Sequence, residues 1–302
     1  MIRPLRLTLS GAARPALPPA LLLLAVLLLP ALPGCTPKRG GDLAPGAPAS
    51  AWTAFRSNYC VPAAAPGLLV KASLYYTRTT PVRRTNRTLV TLWGDFSGPM
   101  RLDLAAGMGK LLAHIREDDH GLLVYYPTEG KAFTHADPVL GATRLGMPFP
   151  FSLTELARVT AGDFSGLLPR VPGKAVCDGS GCRFAIRNGL VTEITLDPSG
   201  RPVRLKGRTA KNGVTARNWT LEINSYGESV GGKPPLPERL SLVLEDGETG
   251  VLRIRSRALK LAPWPARALD LALPDGTVSR RLDSGAKSAG NGDIPVIYEE
   301  DR

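Results

Sequence analysis

Gly146-Met147-Pro148-Phe149-Pro150-Phe151-Ser152-Leu153-Thr154-Glu155-Leu156-Ala157-Arg158-Val159-Thr160-Ala161-Gly162 is the stretch that interrupts a long succession of strand patterns in this chain of 302 residues. The two prolines forbid a regular helix or a central strand over 146–151. Ser152 then supplies an N-cap, and Glu155, three residues on, the other half of a capping box. Leu153, Leu156 and Ala157 recur at helical spacing, and Gly162 closes the run. The stretch predicts an apolar approach carrying Met147, Phe149 and Phe151, followed by a short helix over 152–161 that needs another layer to bury its face.

That layer is written on both sides of it. Upstream, residues 68–78, 88–96, 100–105, 110–117, 121–126 and 131–134 read as strands, several of them alternating apolar and polar positions. Tight breaks such as Ser97-Gly98-Pro99 and Asp118-Asp119-His120-Gly121 separate them. Downstream, strands are expected at 183–187, 190–196, 202–208, 219–226, 238–244 and 251–260. Ser50 offers an N-cap for a helix carrying Trp52, Phe55 and Tyr59. The expected fold is therefore mainly β with short helices (α+β), an antiparallel meander in one domain over 51–283.

The N-terminus has its own logic. Arg3, Arg6 and Arg14 precede an apolar run from Leu21 to Leu29, and Leu32-Pro33-Gly34-Cys35 ends it. This is the layout of a secretory signal peptide over 1–34, too short to span a bilayer comfortably. With a cysteine directly after the cleavage point it resembles a bacterial lipobox, so that Cys35 would carry the lipid. Residues 35–50, rich in Pro, Gly and Ala, read as a flexible tether, and 284–302 as a disordered tail apart from a possible strand at 294–298.

The formal charge is +12, and removing the leader takes it to about +9. A membrane-tethered basic domain is drawn against anionic head groups. Nucleic acid is not expected as a partner, since export argues against it and no basic helix interleaves with aromatics. Cys177 and Cys182 flank Asp178-Gly179-Ser180-Gly181 between two extended runs, the setting of a hairpin tip bridged by a disulfide. Cys60 is left over, either buried or a free thiol.

No catalytic constellation emerges, and no cofactor or metal is expected. His114, His120 and His135 lack metal-ligand spacing and read as surface or hairpin residues. Gly107-Met108-Gly109-Lys110 is not a phosphate loop, because the second glycine is misplaced and no helix follows. Gly162-Asp163-Phe164-Ser165-Gly166 has its serine one place late for a nucleophile elbow. Asp103, Asp118 and Asp119 read as turn residues.

The segment 146–151, with Leu156 and Gly162, resembles the corresponding segment of the LolA/LolB family of lipoprotein carriers and receptors. Trp52, the strand Arg101-Leu102-Asp103-Leu104, and Pro235-Leu236-Pro237-Glu238-Arg239-Leu240 match in the same order, so the resemblance runs from about Trp52 to Leu261. It implies an unclosed antiparallel β-barrel of about 11 strands under a helical lid, enclosing an apolar cavity. Met147, Phe149, Phe151, Leu153 and Leu156 would form lid and cavity. The bland alternative is that these residues merely complete a packed core.

The family also implies a protruding loop with an exposed apolar tip that assists delivery into the membrane, here Gly107, Met108 and Gly109. Its implied ligands and partners are the acyl chains of other lipoproteins, a periplasmic LolA-like carrier and outer-membrane phospholipid, engaged by a monomer. Thr36 in place of aspartate after Cys35 favours the periplasmic face of the outer membrane. The alternative function is a non-enzymatic lipid-binding or envelope-stress-sensing module on the same scaffold. Two departures from the family pattern are an insert around 169–182 and an extension after Leu261, whose residues 269–282 look like an extra C-terminal strand.

Overall fold

Two long strands, β1 (Gly67–Arg78) and β13 (Thr249–Lys260), pair antiparallel along their length and form the spine of the protein. Both alternate apolar and polar residues, so one face of the pair is buried and the other meets solvent. The computed structural model describes residues 47–107, 109–147, 149–209 and 217–283. The leader, Cys35, most of the tether, Met108, Pro148 and the tail after Asp283 lie outside the described residues.

From β1 the chain meanders through β2 (Arg84–Asp95), β3 (Met100–Ala105), β4 (Leu111–Asp118), β5 (Gly121–Tyr126) and β6 (Lys131–His135). A second meander approaches β13 from the other side: β7 (Ala175–Asp178), β8 (Gly181–Ala185), β9 (Val191–Leu196), β10 (Pro202–Thr209), β11 (Arg217–Tyr226) and β12 (Pro237–Leu244). β14 (Val278–Arg281) then joins β6 in the parallel sense. The result is one 14-stranded sheet in the linear order β14-β6-β5-β4-β3-β2-β1-β13-β12-β11-β10-β9-β8-β7, unclosed by hydrogen bonding.

Three helices line this sheet. α1 (Ala47–Tyr59) packs on β7, β8 and β9, α2 (Pro138–Arg144) on β5 and β6, and α3 (Leu153–Thr160) on β1, β2, β3 and β12. A single-turn α4 (Ala266–Leu269) follows β13. Inward residues Leu68, Val70, Leu92, Leu102 and Ile115 are essentially inaccessible, as are Phe55 and Phe164. Each such side chain contributes about 1.5–3 kcal/mol relative to exposure, which is the main force holding helices to sheet.

Several expectations need correction. The sheet has 14 strands where about 11 were implied; β7 is the first of the two extended runs around Asp178-Gly179-Ser180-Gly181, and β14 is the part of the expected C-terminal strand that pairs. α1 begins at Ala47, and Ser50 lies inside its first turn, its hydroxyl donating to the Ala47 carbonyl at 3.1 Å instead of capping. Pro48 makes that possible, since the first turn needs no N–H from it. α2 has no counterpart among the expected elements, although Asp137 caps it through Leu140 N–H and Pro138 starts it. β8 starts two residues earlier than the 183–187 expected, because the hairpin pivots at Gly179-Ser180 with Cys177 opposite Cys182.

The C-terminal extension also differs. Residues 266–269 are helical and only 278–281 form a strand. Residues 261–270 run as a strap against β2 and β3, where Trp93 Nε1 donates to the Ala268 carbonyl at 3.0 Å and Arg101 donates to the Asp270 carbonyl. Trp264 Nε1 donates to the Leu68 carbonyl at 3.2 Å. The strand expected over 269–282 is thus present only at its C-terminal end, while Leu269 serves as a buried anchor.

Candidate functional site

α3 is set in place from both ends. Ser152 accepts from Glu155 N–H at 3.0 Å and Glu155 accepts from Ser152 N–H at 2.9 Å, a complete capping box. Glu117 reaches up from β4, where the alternation Ala113, Ile115, Glu117 turns it inward. Its carboxylate accepts from the N–H groups of Leu153 and Thr154 and from the Thr154 hydroxyl. A carboxylate at a helix N-terminus satisfies orphan donors and meets the positive end of the dipole. Near the other end, Arg158 donates to the Phe96 carbonyl at 3.2 Å. Burial raises the Glu155 carboxyl above its ordinary range, with the neighbouring Glu117 charge adding to the rise and hydrogen bonds from Ser152 opposing it.

Phe151, Leu153 and Leu156 are buried beneath this helix, while Met147 and Phe149 are half-buried and packed against the same core. Phe149, Phe151 and Leu156 line a crevice between α3 and the sheet, facing Leu74, Leu242 and Leu252. Its volume is about 20 Å³, room for roughly one water molecule. Among the described residues, the space between α3 and the sheet at this point is therefore a nearly filled seam. Phe151 packs edge-on to Trp219 at 5.0 Å, and the Trp219 indole N–H is buried without a partner among the described residues. Trp219 itself lies over Gly207 on β10, where an added Cβ would fall 2.0 Å from the ring.

The β3–β4 loop is a tight turn in which Ala106 N–H donates to the Lys110 carbonyl at 2.8 Å and Gly109 N–H to the Ala106 carbonyl at 2.9 Å. Gly107 and Gly109 are exposed and face open space, and Gly109 has φ +83°, the left-handed conformation glycine tolerates. Met108 between them lies outside the described residues. Cys177 and Cys182 form a disulfide between β7 and β8 at one end of the sheet, with Cys182 buried in the core and Cys177 packed against it. Cys60 is buried at the end of α1, and burial pushes its thiol up to about 12, with Arg56 opposing the rise.

The histidines do not all lie where expected. His120 is exposed, but His135 is buried, its Nδ1 accepting from Asp137 N–H at 2.9 Å. His114 Nδ1 pairs with Asp103 Oδ1 at 2.8 Å across β3 and β4, so Asp103 is a mid-strand partner and not a turn residue. Asp118 does serve the turn, accepting from His120 N–H at 2.9 Å. A second groove, of about 430 Å³, lies under the C-terminal strap between Asp95, Arg116, Trp264 and Asp270, and sequence reading gave no sign of it. Among the described residues no group of three or more His, Cys, Asp or Glu side chains could hold a metal ion, and no helix is long and apolar enough to cross a membrane.

The architecture is thus an extended, unclosed and predominantly antiparallel sheet with short helices laid against it, one of them clamped over an apolar seam. Comparison of folds finds distant structural likenesses. A LolA superfamily protein from Nitrosomonas europaea is 13% identical, covering 76% of this chain and 99% of that one with a TM-score of 0.48. A candidate outer-membrane lipoprotein-sorting protein domain from Vibrio parahaemolyticus is 11% identical, covering 74% and 94% with a TM-score of 0.43. A DUF1329 family protein from Desulfovibrio piger is 9% identical, covering 74% and 98% with a TM-score of 0.46. No protein-family model matches the chain, and no curated protein matches it in sequence.

Proposed function

We propose that this chain is a lipoprotein, anchored through Cys35 at the periplasmic face of the outer membrane, that accepts the acyl chains of other lipoproteins beneath α3 and releases them into the bilayer. The observation that carries this reading is the seam itself, lined by apolar side chains and Gly250 and roofed by one short helix. A ligand site needs about 300–1,000 Å³, so acceptance requires α3 and residues 146–151 to move off the sheet. Phe149 and Phe151 then occupy, in the empty protein, the space an acyl chain takes in the loaded one. The exchange replaces one apolar contact set by another, so it is close to neutral and needs no nucleotide. Since each buried methylene is worth about 0.8 kcal/mol, release into a bilayer is favoured when the seam grips the chain less completely than lipid does.

In this reading a soluble LolA-like carrier supplies the cargo, and the exposed glycine-flanked loop at Met108 is the point of contact with the phospholipid. The test is saturable binding of a fluorescent triacylated peptide to the full chain. Binding is expected, with Phe149→Glu weakening it at the mouth of the seam; absence of saturable binding by the unmodified protein overturns the reading. Cys35→Ala is expected to abolish lipid attachment, read by mass spectrometry of the purified chain.

A further inference from the structure

The outward face of β2, β1, β13 and β12 carries an unusual concentration of unpaired cations. Alternation places Lys71, Ser73 and Tyr75 of β1 on this face, and register places Arg87 beside Tyr75, Arg253 beside Ser73 and Arg239 beside Arg253. A bulge on β13 sets Arg255 and Ser256 together opposite Lys71. All five cations are exposed. The guanidinium groups of Arg253 and Arg87 lie 4.9 and 5.8 Å from the centre of the Tyr75 ring, one from each neighbouring strand. Among the described residues, none of the five forms an ion pair, whereas Arg204, Lys206 and Arg183 further along the same sheet are each paired with Glu222 or Glu193. Beneath the cluster the Ser73 hydroxyl is buried and has no hydrogen-bond partner.

We infer that this face docks on a bilayer containing anionic phospholipid. Adjacent strands lie about 4.8 Å apart, so Arg87 to Arg239 spans roughly 14 Å of a continuous ladder. The charges form a two-dimensional array, and none of them lines the seam under α3 or the groove under the strap. An array spread over four strands suits a plane of phosphates better than a single bound ion. Tyr75 supplies an amphipathic ring of the kind favoured at the head-group level. The sheet buries its other side against α3, so docking by this face leaves the seam free to take cargo from a soluble carrier, and discharge into the bilayer follows only once this face lets go. The inference rests on the proposed envelope location only for where a bilayer is met, and it does not require acyl binding.

The test is acetylation of Lys71 by a water-soluble reagent, read by mass spectrometry on the full chain with vesicles of phosphatidylcholine alone or with added phosphatidylglycerol. Lys131, on β6, serves as internal control. Lys71 is expected to be protected selectively on the anionic vesicles and to lose that protection in high salt. Arg239→Gln combined with Arg253→Gln removes two exposed charges without touching the core and should shift the docking equilibrium by about 25-fold, restoring Lys71 labelling. Equal labelling on both kinds of vesicle overturns the inference. So does protection of Lys71 only by an acidic protein added without vesicles. Triacyl-peptide binding measured on the same double variant separates the two proposals, since docking can fail while binding persists, and the reverse.

Discussion

The carboxylate of Glu117 holds both the N–H and the hydroxyl of Thr154, at 3.1 and 2.8 Å, and so ties the first turn of α3 to β4. Glu117 is buried and the pairing partly so, which makes each hydrogen bond stronger and its loss more costly than at the open surface. In the proposed reading, where α3 lifts off the sheet to admit an acyl chain, the strength of this tie sets how readily the seam opens.

Glu117→Ala strands these donors and should cost about 3 kcal/mol, measured by urea unfolding. Amide exchange over 153–160 should accelerate more than exchange over β1 and β13. Uniform acceleration across the sheet would show that Glu117 supports the whole core and does not latch the helix.

Glu155 behaves differently. Burial raises its pKa in the folded protein, so the fold binds this proton more tightly than the unfolded chain does. The resulting stability is present below the unfolded glutamate value, near pH 4.3, and is lost as pH rises through the elevated folded value. Glutamine also serves in a capping box. Glu155→Gln should therefore gain stability relative to the parent at pH 7 and lose that advantage at acid pH, read from denaturation midpoints across the range.

Cys60 should be chemically silent in the native state. Its thiol is pushed up to about 12 and lies buried, while the thiolate is the reactive form. Alkylation at pH 8, followed residue by residue, should be slow until the protein is unfolded. Rapid native-state labelling would contradict the buried placement.

Gly207→Ala should be strongly destabilising. The new Cβ would collide with the Trp219 ring at 2.0 Å and with the Leu190 carbonyl at 2.4 Å. Overpacking of this kind costs about 1–3 kcal/mol or more. Pairing it with Trp219→Leu should recover part of the loss, a double-mutant cycle that reads the contact directly.

Met108→Glu separates delivery from binding. A glycine-flanked loop facing open space contributes little to stability, so folding and triacyl-peptide binding should be retained. Transfer of acylated cargo to liposomes should fall sharply, because an unpaired charge resists burial in the acyl region. Met108→Leu should transfer normally. Full transfer by the glutamate variant would remove the loop from the mechanism.

The sequence by itself determined the strand sequence, the helix over Leu153–Thr160 and its capping box, because these follow from alternation and from fixed local spacing. Strands such as Met100–Ala105 and Gly121–Tyr126 are found at the residues where their patterns begin and end. Asp137-Pro138 carried a legible start signal for α2 that apolar spacing alone did not draw out. What only the tertiary structure decided depends on partners distant in the chain. Glu117 looks like any acid near a strand end until Thr154 is brought to it, 37 residues on. β14 joins β6, and the strap finds Trp93 and Arg101, only once β13 has delivered the chain to that side of the sheet. Whether Phe149 and Phe151 border a void or fill it is likewise a matter of volume between elements, which periodicity does not encode. Local patterns fix which face of each strand is apolar, and packing among faces far apart in sequence fixes what remains between them.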